Sequence, residues 1–219
     1  MSTISKENYL KAIFNYNALM NDTASTSQMA NELSVSNSAI SDMAKKLSLD
    51  GLVTYEKYKG MELTSKGEKI ALQVIRRHRL WELFLMKILG LAWSEIHDEA
   101  ENLEHHTSDF LIDKIDEYLG YPEFDPHGHP IPRKNGTLPE SSEIIPLYDC
   151  EIGINYEFIR VDDRDNSLID YLTKVGLLLN TKLIIRDRLA FDESLTVEFN
   201  NKSFPFSKKI SKSIFVKPV

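Results

Sequence analysis

Apolar side chains at Tyr9, Leu10, Ile13, Phe14 and Leu19 recur at the three- and four-residue steps of one helix face, so residues 5–19 are predicted as an amphipathic helix broken at Asn21-Asp22. Ser25-Thr26-Ser27 offers N-caps to a short second helix with Met29, Ala30 and Leu33 inward. After a tight turn at Ser34-Val35, Ser36-Asn37 caps a third helix whose buried stripe is Ile40, Met43, Ala44 and Leu47. Two short helices joined by a few residues read as helix-turn-helix. Ser36, Asn37, Ser38, Ser41 and Lys45 lie off the apolar stripe of the third helix, and small polar residues at a helix N-terminus can enter a major groove closely. A plain αα-hairpin is the alternative. Gly51 ends that helix, and Leu52–Leu63 reads as two short strands joined at Lys59-Gly60. A basic, tyrosine-containing hairpin directly after a helix-turn-helix is the order of a winged-helix domain, with Lys57, Tyr58 and Lys59 in reach of phosphates.

Thr64-Ser65 then caps a long helix with Ile70, Leu72, Val74, Ile75, Leu80, Leu83, Phe84 and Ile88 as its apolar positions. A further helix starts near Trp93-Ser94-Glu95, and Phe110, Leu111, Ile115 and Leu119 place another at 108–119; three adjacent helices with large apolar stripes suggest a dimer face. Residues 121–146 hold six of the eight prolines and read as an extended linker. Beyond Leu147 the pattern turns to short β-like runs at 153–160, 182–187, 195–199 and 214–216, with a short helix at 167–174, which together predict a small β-barrel.

Composition changes this picture in two ways. The net charge of −7 conceals a division: residues 1–80 carry +3 and the remainder −10, so a basic end suited to nucleic acid precedes an acidic one. All six histidines fall between His78 and His129, and the single cysteine, Cys150, excludes an intramolecular disulfide or a multi-cysteine metal site, leaving nitrogen and oxygen ligands for any ion. No apolar run is long enough to span a bilayer and the N-terminal residues lack a signal-peptide pattern, so the expectation is a cytoplasmic protein without a membrane partner.

The candidate chemistry sits in the histidine-rich stretch. On a helix, Glu101, Glu104 and His105 fall at i, i+3 and i+4, placing two carboxylates and an imidazole on one face; an acidic, solvated helix face is the plain alternative. His78 and Glu82 make a second such pair at i and i+4, equally open to the reading of an ordinary surface pair, and Asp125-Pro126-His127-Gly128-His129-Pro130 puts ligand types on a proline-stiffened loop.

Glu7-Asn8-Tyr9-Leu10-Lys11, Thr64-Ser65-Lys66-Gly67, Arg77-His78-Arg79-Leu80 with Glu82, His97-Asp98-Glu99-Ala100-Glu101 with Leu103-Glu104-His105, and Pro126-His127-Gly128 with Ile131-Pro132 together resemble the diphtheria toxin repressor family, in its manganese-responsive, streptococcal-type branch. The resemblance covers essentially the whole chain. It implies a mainly α protein with a small β domain: a winged helix-turn-helix at 1–72, a helical metal-binding and dimerisation domain with the proline-rich linker at 73–139, and an SH3-like domain at 147–219. It further implies a primary metal site from Glu101, Glu104 and His105, with Asn8, Asp125 and His127 as further candidates, and a second from His78, Glu82 and His97 with Asp163, or equally Asp162. Relatives commonly carry Asp at position 8 and Cys at position 125, so this ligand set is harder, and Mn2+ is the first expectation with Fe2+ the alternative. The function so implied is a metal-activated, homodimeric repressor that binds palindromic operator DNA and controls metal-ion homeostasis. A winged-helix regulator answering to a small molecule or protein partner, or a metalloenzyme, are the rival readings; the chain lacks both His-Glu-x-x-His and Glu-x-x-His, which counts against the enzyme.

Overall fold

Capping chemistry sets the first elements. In the computed structural model, which describes residues 3–20, 23–56, 59–140 and 143–219, helix α1 (Thr3–Met20) is followed by α2 (Thr26–Glu32), which opens on a capping box: the Ser25 hydroxyl accepts from the Gln28 amide while the Gln28 side chain accepts from the Ser25 amide. Ser34 turns the chain with a positive φ of 52°, and the Ser36 hydroxyl caps α3 (Asn37–Leu49). Gly51, at φ +70°, reverses into strands β1 (Val53–Glu56) and β2 (Gly60–Leu63), paired antiparallel, and helix α4 (Ser65–Lys87) follows. Gly67 has no tolerance for a side chain, since a Cβ there would lie 2.0 Å from the Leu52 carbonyl oxygen. That close approach seats the first turn of α4 against the entry to the wing. Helices α5 (Ile96–Glu104) and α6 (Asp109–Tyr118) complete the helical part.

The chain divides into two compact units. One comprises Met1–His78, Asn102–Asp113 and Pro132–Thr137; the other comprises Arg79–Glu101, Lys114–Ile131 and Leu138–Val219. In the first, Leu10, Ile13, Met29, Ile40, Leu47, Leu52 and Met61 are fully buried and form the core of the helix-turn-helix and wing. The predicted stripe at Ile40, Ala44 and Leu47 is inward, with Met43 half-buried.

The second unit is built on a six-stranded antiparallel sheet in the order β3-β8-β4-β5-β6-β7. Its elements are β3 (Ile145–Pro146), β4 (Asn155–Val161), α7 (Asn166–Val175), β5 (Lys182–Arg188), β6 (Leu195–Phe199), β7 (Lys202–Phe206), α8 (Lys208–Lys212) and β8 (Ile214–Pro218). Leu195, Val197 and Phe199 alternate inward along β6 as a one-sided sheet requires. On β4 a register shift between Phe158 and Arg160 rephases the alternation, so Tyr156, Phe158 and Val161 all reach the core. Strand β7 and helix α8 escape the sequence reading. Pro205 lies inside β7, which is tolerated because the strand is at the sheet edge, and the signal for it is Asn200-Asn201, both at positive φ, forming the two-residue hairpin loop.

The proline-rich segment departs from the expected open linker. Asp125, Pro126, His127 and Gly128 are all buried, the His127 carbonyl accepts from the Val161 amide at 3.0 Å, and a Cβ on Gly128 would lie 2.0 Å from the Ile159 carbonyl oxygen. This stretch is laid directly against β4.

Candidate metal centre

In the first unit, α1 and the end of α5 bring ligand types together. The His105 Nδ1 lies 2.7 Å from a Glu7 carboxylate oxygen, an arrangement that fixes the ring and points Nε2 at Glu104 Oε1, 3.2 Å away. A carboxylate holding one ring nitrogen so that the other is presented is the usual support for a ligating histidine. No well-directed hydrogen bond joins that Nε2 to Glu104, and His105 Nε2, Glu104 Oε1 and Asn8 Oδ1 are all buried atoms without a hydrogen-bond partner. Such atoms are costly unless something supplies the missing charge or donor. The opposite Glu104 oxygen is occupied: His78 Nδ1 lies 2.7 Å and the Lys11 ammonium 2.8 Å from it, with Lys11 also 3.3 Å from His78 Nδ1. Glu104 is fully buried, so the ammonium acts there as its counter-charge.

In the second unit, Glu82 from α4, His97 from α5, Asp125 and His127 from the loop, and Asp163 just beyond β4 converge. His97 Nδ1 lies 3.3 Å and His127 Nδ1 3.4 Å from Glu82 Oε1, while the same nitrogens lie 3.8 and 3.6 Å from Asp163 Oδ2. Asp125 uses one oxygen to accept from the backbone amides of His127 and His129, closing the loop on itself and leaving the other directed at Arg79, 3.6 Å away, and His129, 3.5 Å away. The indole of Trp93 stacks on the His127 ring at 5.7 Å and donates to the Pro126 carbonyl, and Trp93 also packs on the core of the sheet domain. Neither ring nitrogen of His127 nor Asp125 Oδ2 has a hydrogen-bond partner. Burial pulls the His127 pKa down, but the facing carboxylates, Glu82 first, outweigh it and raise the pKa to about 9. For Asp125, burial pushes upward and is overcome chiefly by His129, leaving the carboxyl below its ordinary value.

Both groups are donor sets that a divalent cation satisfies: buried, oxygen- and nitrogen-bearing, and short of hydrogen bonds. Glu82, His97 and Asp163, expected together, lie together in the second unit, where Asp125 and His127 join them. His78 Nδ1 lies against Glu104 in the first unit. Glu101 lies one turn before Glu104 on α5. Of the two aspartates left open, Asp163 faces the histidines and Asp162 is held by Arg164. Glu7, Lys11, Arg79 and Trp93 lie at these two clusters without having been singled out from the sequence, and His129, seen there only as a ligand type on the loop, joins them. Glu7 and Lys11 were visible as residues flanking Asn8, but nothing local links them to positions near 104. On α3, Ser36, Asn37, Ser38 and Lys45 are exposed and Ser41 is half-buried, while Lys59 is exposed in the wing beside Glu56. Lys57 and Tyr58 lie outside the described residues.

Comparison with known proteins agrees with this architecture. Residues 1–61 match the iron dependent repressor N-terminal DNA binding domain, 64–133 the iron dependent repressor metal binding and dimerisation domain, and 145–218 the FeoA domain. Among solved structures the chain is similar to a manganese-dependent transcriptional repressor in complex with manganese, at 34% identity and TM-score 0.92, covering 98% of this chain and 100% of that one. It is also similar to the manganese regulator SloR, at 34% identity, TM-score 0.82 and 98% of each chain. A third is ScaR with bound Zn2+, at 32% identity and TM-score 0.85, covering 98% of this chain and 99% of that one. With its DNA-binding, metal-binding and FeoA parts all matched in order, the chain belongs to the iron-dependent, or diphtheria toxin, repressor family of metal-dependent DNA-binding transcriptional repressors, which are not enzymes.

Proposed function

We propose that this protein is a Mn2+-activated, homodimeric cytoplasmic repressor that binds a palindromic operator and controls metal-ion homeostasis, with Fe2+ as the alternative activator. The domains doing so are 1–72 for DNA, 73–139 for metal and dimerisation, and 147–219 as the SH3-like part. The observation that carries the reading is the trio of buried donors without partners, Asn8 Oδ1, Glu104 Oε1 and His105 Nε2, in the unit that also carries the helix-turn-helix. Asn8, Glu104 and His105 would hold one ion, and helical spacing adds Glu101. Glu82, His97, Asp125, His127 and Asp163 would hold another. The ion supplies positive charge to clustered carboxylates. Its ligands in the first unit come from both α1 and the end of α5, so binding favours one fixed placement of α1, on which β2 of the wing and α2 pack, α2 in turn carrying α3. By linkage, whatever preference the ligands show for that placement must reappear as enhanced operator affinity.

Ser36, Asn37, Ser38, Ser41 and Lys45 are assigned to the groove, with Lys57, Tyr58 and Lys59 reaching flanking phosphates. Mn2+ is preferred on donor hardness and because similar chains are described as manganese-dependent. Fluorescence anisotropy with operator DNA, with and without Mn2+, tests the proposal: affinity should rise with the ion, and equal affinities would sink it. A Glu104→Ala protein that retained the full response would remove Glu104 from the site.

A further inference from the structure

The two donor clusters differ in their internal spacing. In the first unit Glu104 Oε2 and His105 Nδ1 are tied up in contacts of 2.7–2.8 Å, and only His105 Nε2 and Glu104 Oε1 face one another at 3.2 Å. In the second, the donors stand 3.3–3.8 Å apart, mostly beyond a normal hydrogen bond. Donors bonded at about 2.0–2.2 Å to a single ion are separated by roughly 3.0–3.6 Å across a tetrahedral or octahedral edge. The contacts of Glu82 Oε1 and Asp163 Oδ2 with the imidazoles of His97 and His127 therefore match the edge of a coordination sphere to within a few tenths of an ångström.

A sixth residue meets the same criterion. His129 Nδ1 lies 3.7 Å from Asp163 Oδ2 and 3.5 Å from Asp125 Oδ2. Its position is not adventitious: its backbone amide donates to Asp125 Oδ1 at 2.9 Å and its carbonyl accepts from the Asp125 amide at 3.0 Å, so the turn that directs Asp125 inward also directs His129. The Nδ1 atoms of three imidazoles, on His97, His127 and His129, thus surround one carboxylate oxygen of Asp163 at 3.8, 3.6 and 3.7 Å. We propose that His129 is a metal ligand, and that as the third imidazole it gives the second-unit centre a preference for borderline ions such as Zn(II) and Co(II) that the oxygen-rich first-unit centre lacks. Imidazole nitrogen suits Zn, Cu, Fe and Ni, whereas carboxylate and carbonyl oxygens suit Mn, so an added imidazole widens the gap between the two classes of ion.

This inference rests on the reading that the second cluster binds a divalent ion at all. The test uses the full-length chain carrying Glu104→Gln and His105→Asn, which leaves the second centre alone, with and without His129→Asn. Zn(II) and Mn(II) affinities are measured by competition titration, and Co(II) absorption reports the ligand field. The expected result is a loss of about tenfold or more in Zn(II) affinity, a smaller loss for Mn(II), and a shift of the Co(II) bands on exchange of nitrogen for oxygen. Equal losses for both ions with unchanged Co(II) bands mean that His129 only orients Asp125, and overturn the assignment while leaving the metal centre standing. No binding by the Glu104→Gln, His105→Asn chain overturns the centre and the inference together. His129→Gln, compared for folding by circular dichroism, serves as the second variant if His129→Asn does not fold.

Discussion

Replacing Lys11 by Met removes the counter-charge of a fully buried carboxylate. Lys11 Nζ lies 2.8 Å from Glu104 Oε2, with only 13% of the lysine side chain exposed, and the metal proposed for Glu104 would bring a second cation into the same pocket. Deleting one partner of a buried pair typically costs about 3–5 kcal/mol, because the remaining charge is left uncompensated. At roughly 2–4 °C per kcal/mol for a chain of this size, the metal-free Lys11→Met protein should melt at least about 6 °C below the parent. The same change removes a competitor of the ion. If about 3 kcal/mol of pairing no longer opposes metal entry, Mn(II) affinity in the first unit should rise by up to two decades, one decade per about 1.4 kcal/mol. Differential scanning fluorimetry in chelator and in graded Mn(II), together with Mn(II) titration followed by electron paramagnetic resonance, reads both effects. Metal should restore more stability to Lys11→Met than to the parent, as the greater affinity demands. An unchanged metal-free melting temperature together with unchanged Mn(II) affinity would refute the role assigned to Lys11.

Three further outcomes follow from the geometry. The His127 pKa, raised to about 9 from an ordinary 6.5, means the native metal-free protein holds a proton the unfolded chain has lost; its stabilisation is complete below about 6.5 and fades as pH rises through 9. Melting in chelator between pH 6.5 and 9.5 should show that decline, His127→Gln should flatten it, and metal binding to the second unit should release a proton across the same range. Gly128→Ala, at φ +88° with a Cβ 2.0 Å from the Ile159 carbonyl oxygen, should cost about 2 kcal/mol or more. Gly120→Ala, at φ +77° in open space, should cost about 1 kcal/mol, and chemical denaturation separates them; equal losses would mean the loop does not pack on β4 as described. Lys45→Ala should weaken operator binding and reduce the slope of log K against log salt by about 0.9, whereas an unchanged slope would remove Lys45 from the phosphate contacts.

The extent to which the site was legible follows the range of the interactions. Helical spacing alone put Glu101, Glu104 and His105 on one face and identified His78–Glu82 as a pair, since side chains three and four residues apart are neighbours whatever the fold. The loop residues behaved otherwise. Asp125 and His127 were recognisable as ligand types, yet their partners are Glu82 and Asp163, about forty residues away on either side, and no local pattern encodes that meeting. The choice between Asp162 and Asp163 turned on the phase of the chain leaving β4 after its register shift, a property of strand pairing rather than of either residue.

What the sequence by itself determined is therefore the order and type of most elements: three helices and a wing, the long α4, two more helices, and a β-rich end. Each of these rests on periodicity, caps and turn residues within a few positions. Tertiary structure alone decided which donor groups lie together, that Lys11 serves as counter-charge to Glu104, that Glu7 orients His105, and that His129 faces Asp163. Those contacts join residues from separate elements, and their energies depend on distance and burial, which come into being only when the chain is packed.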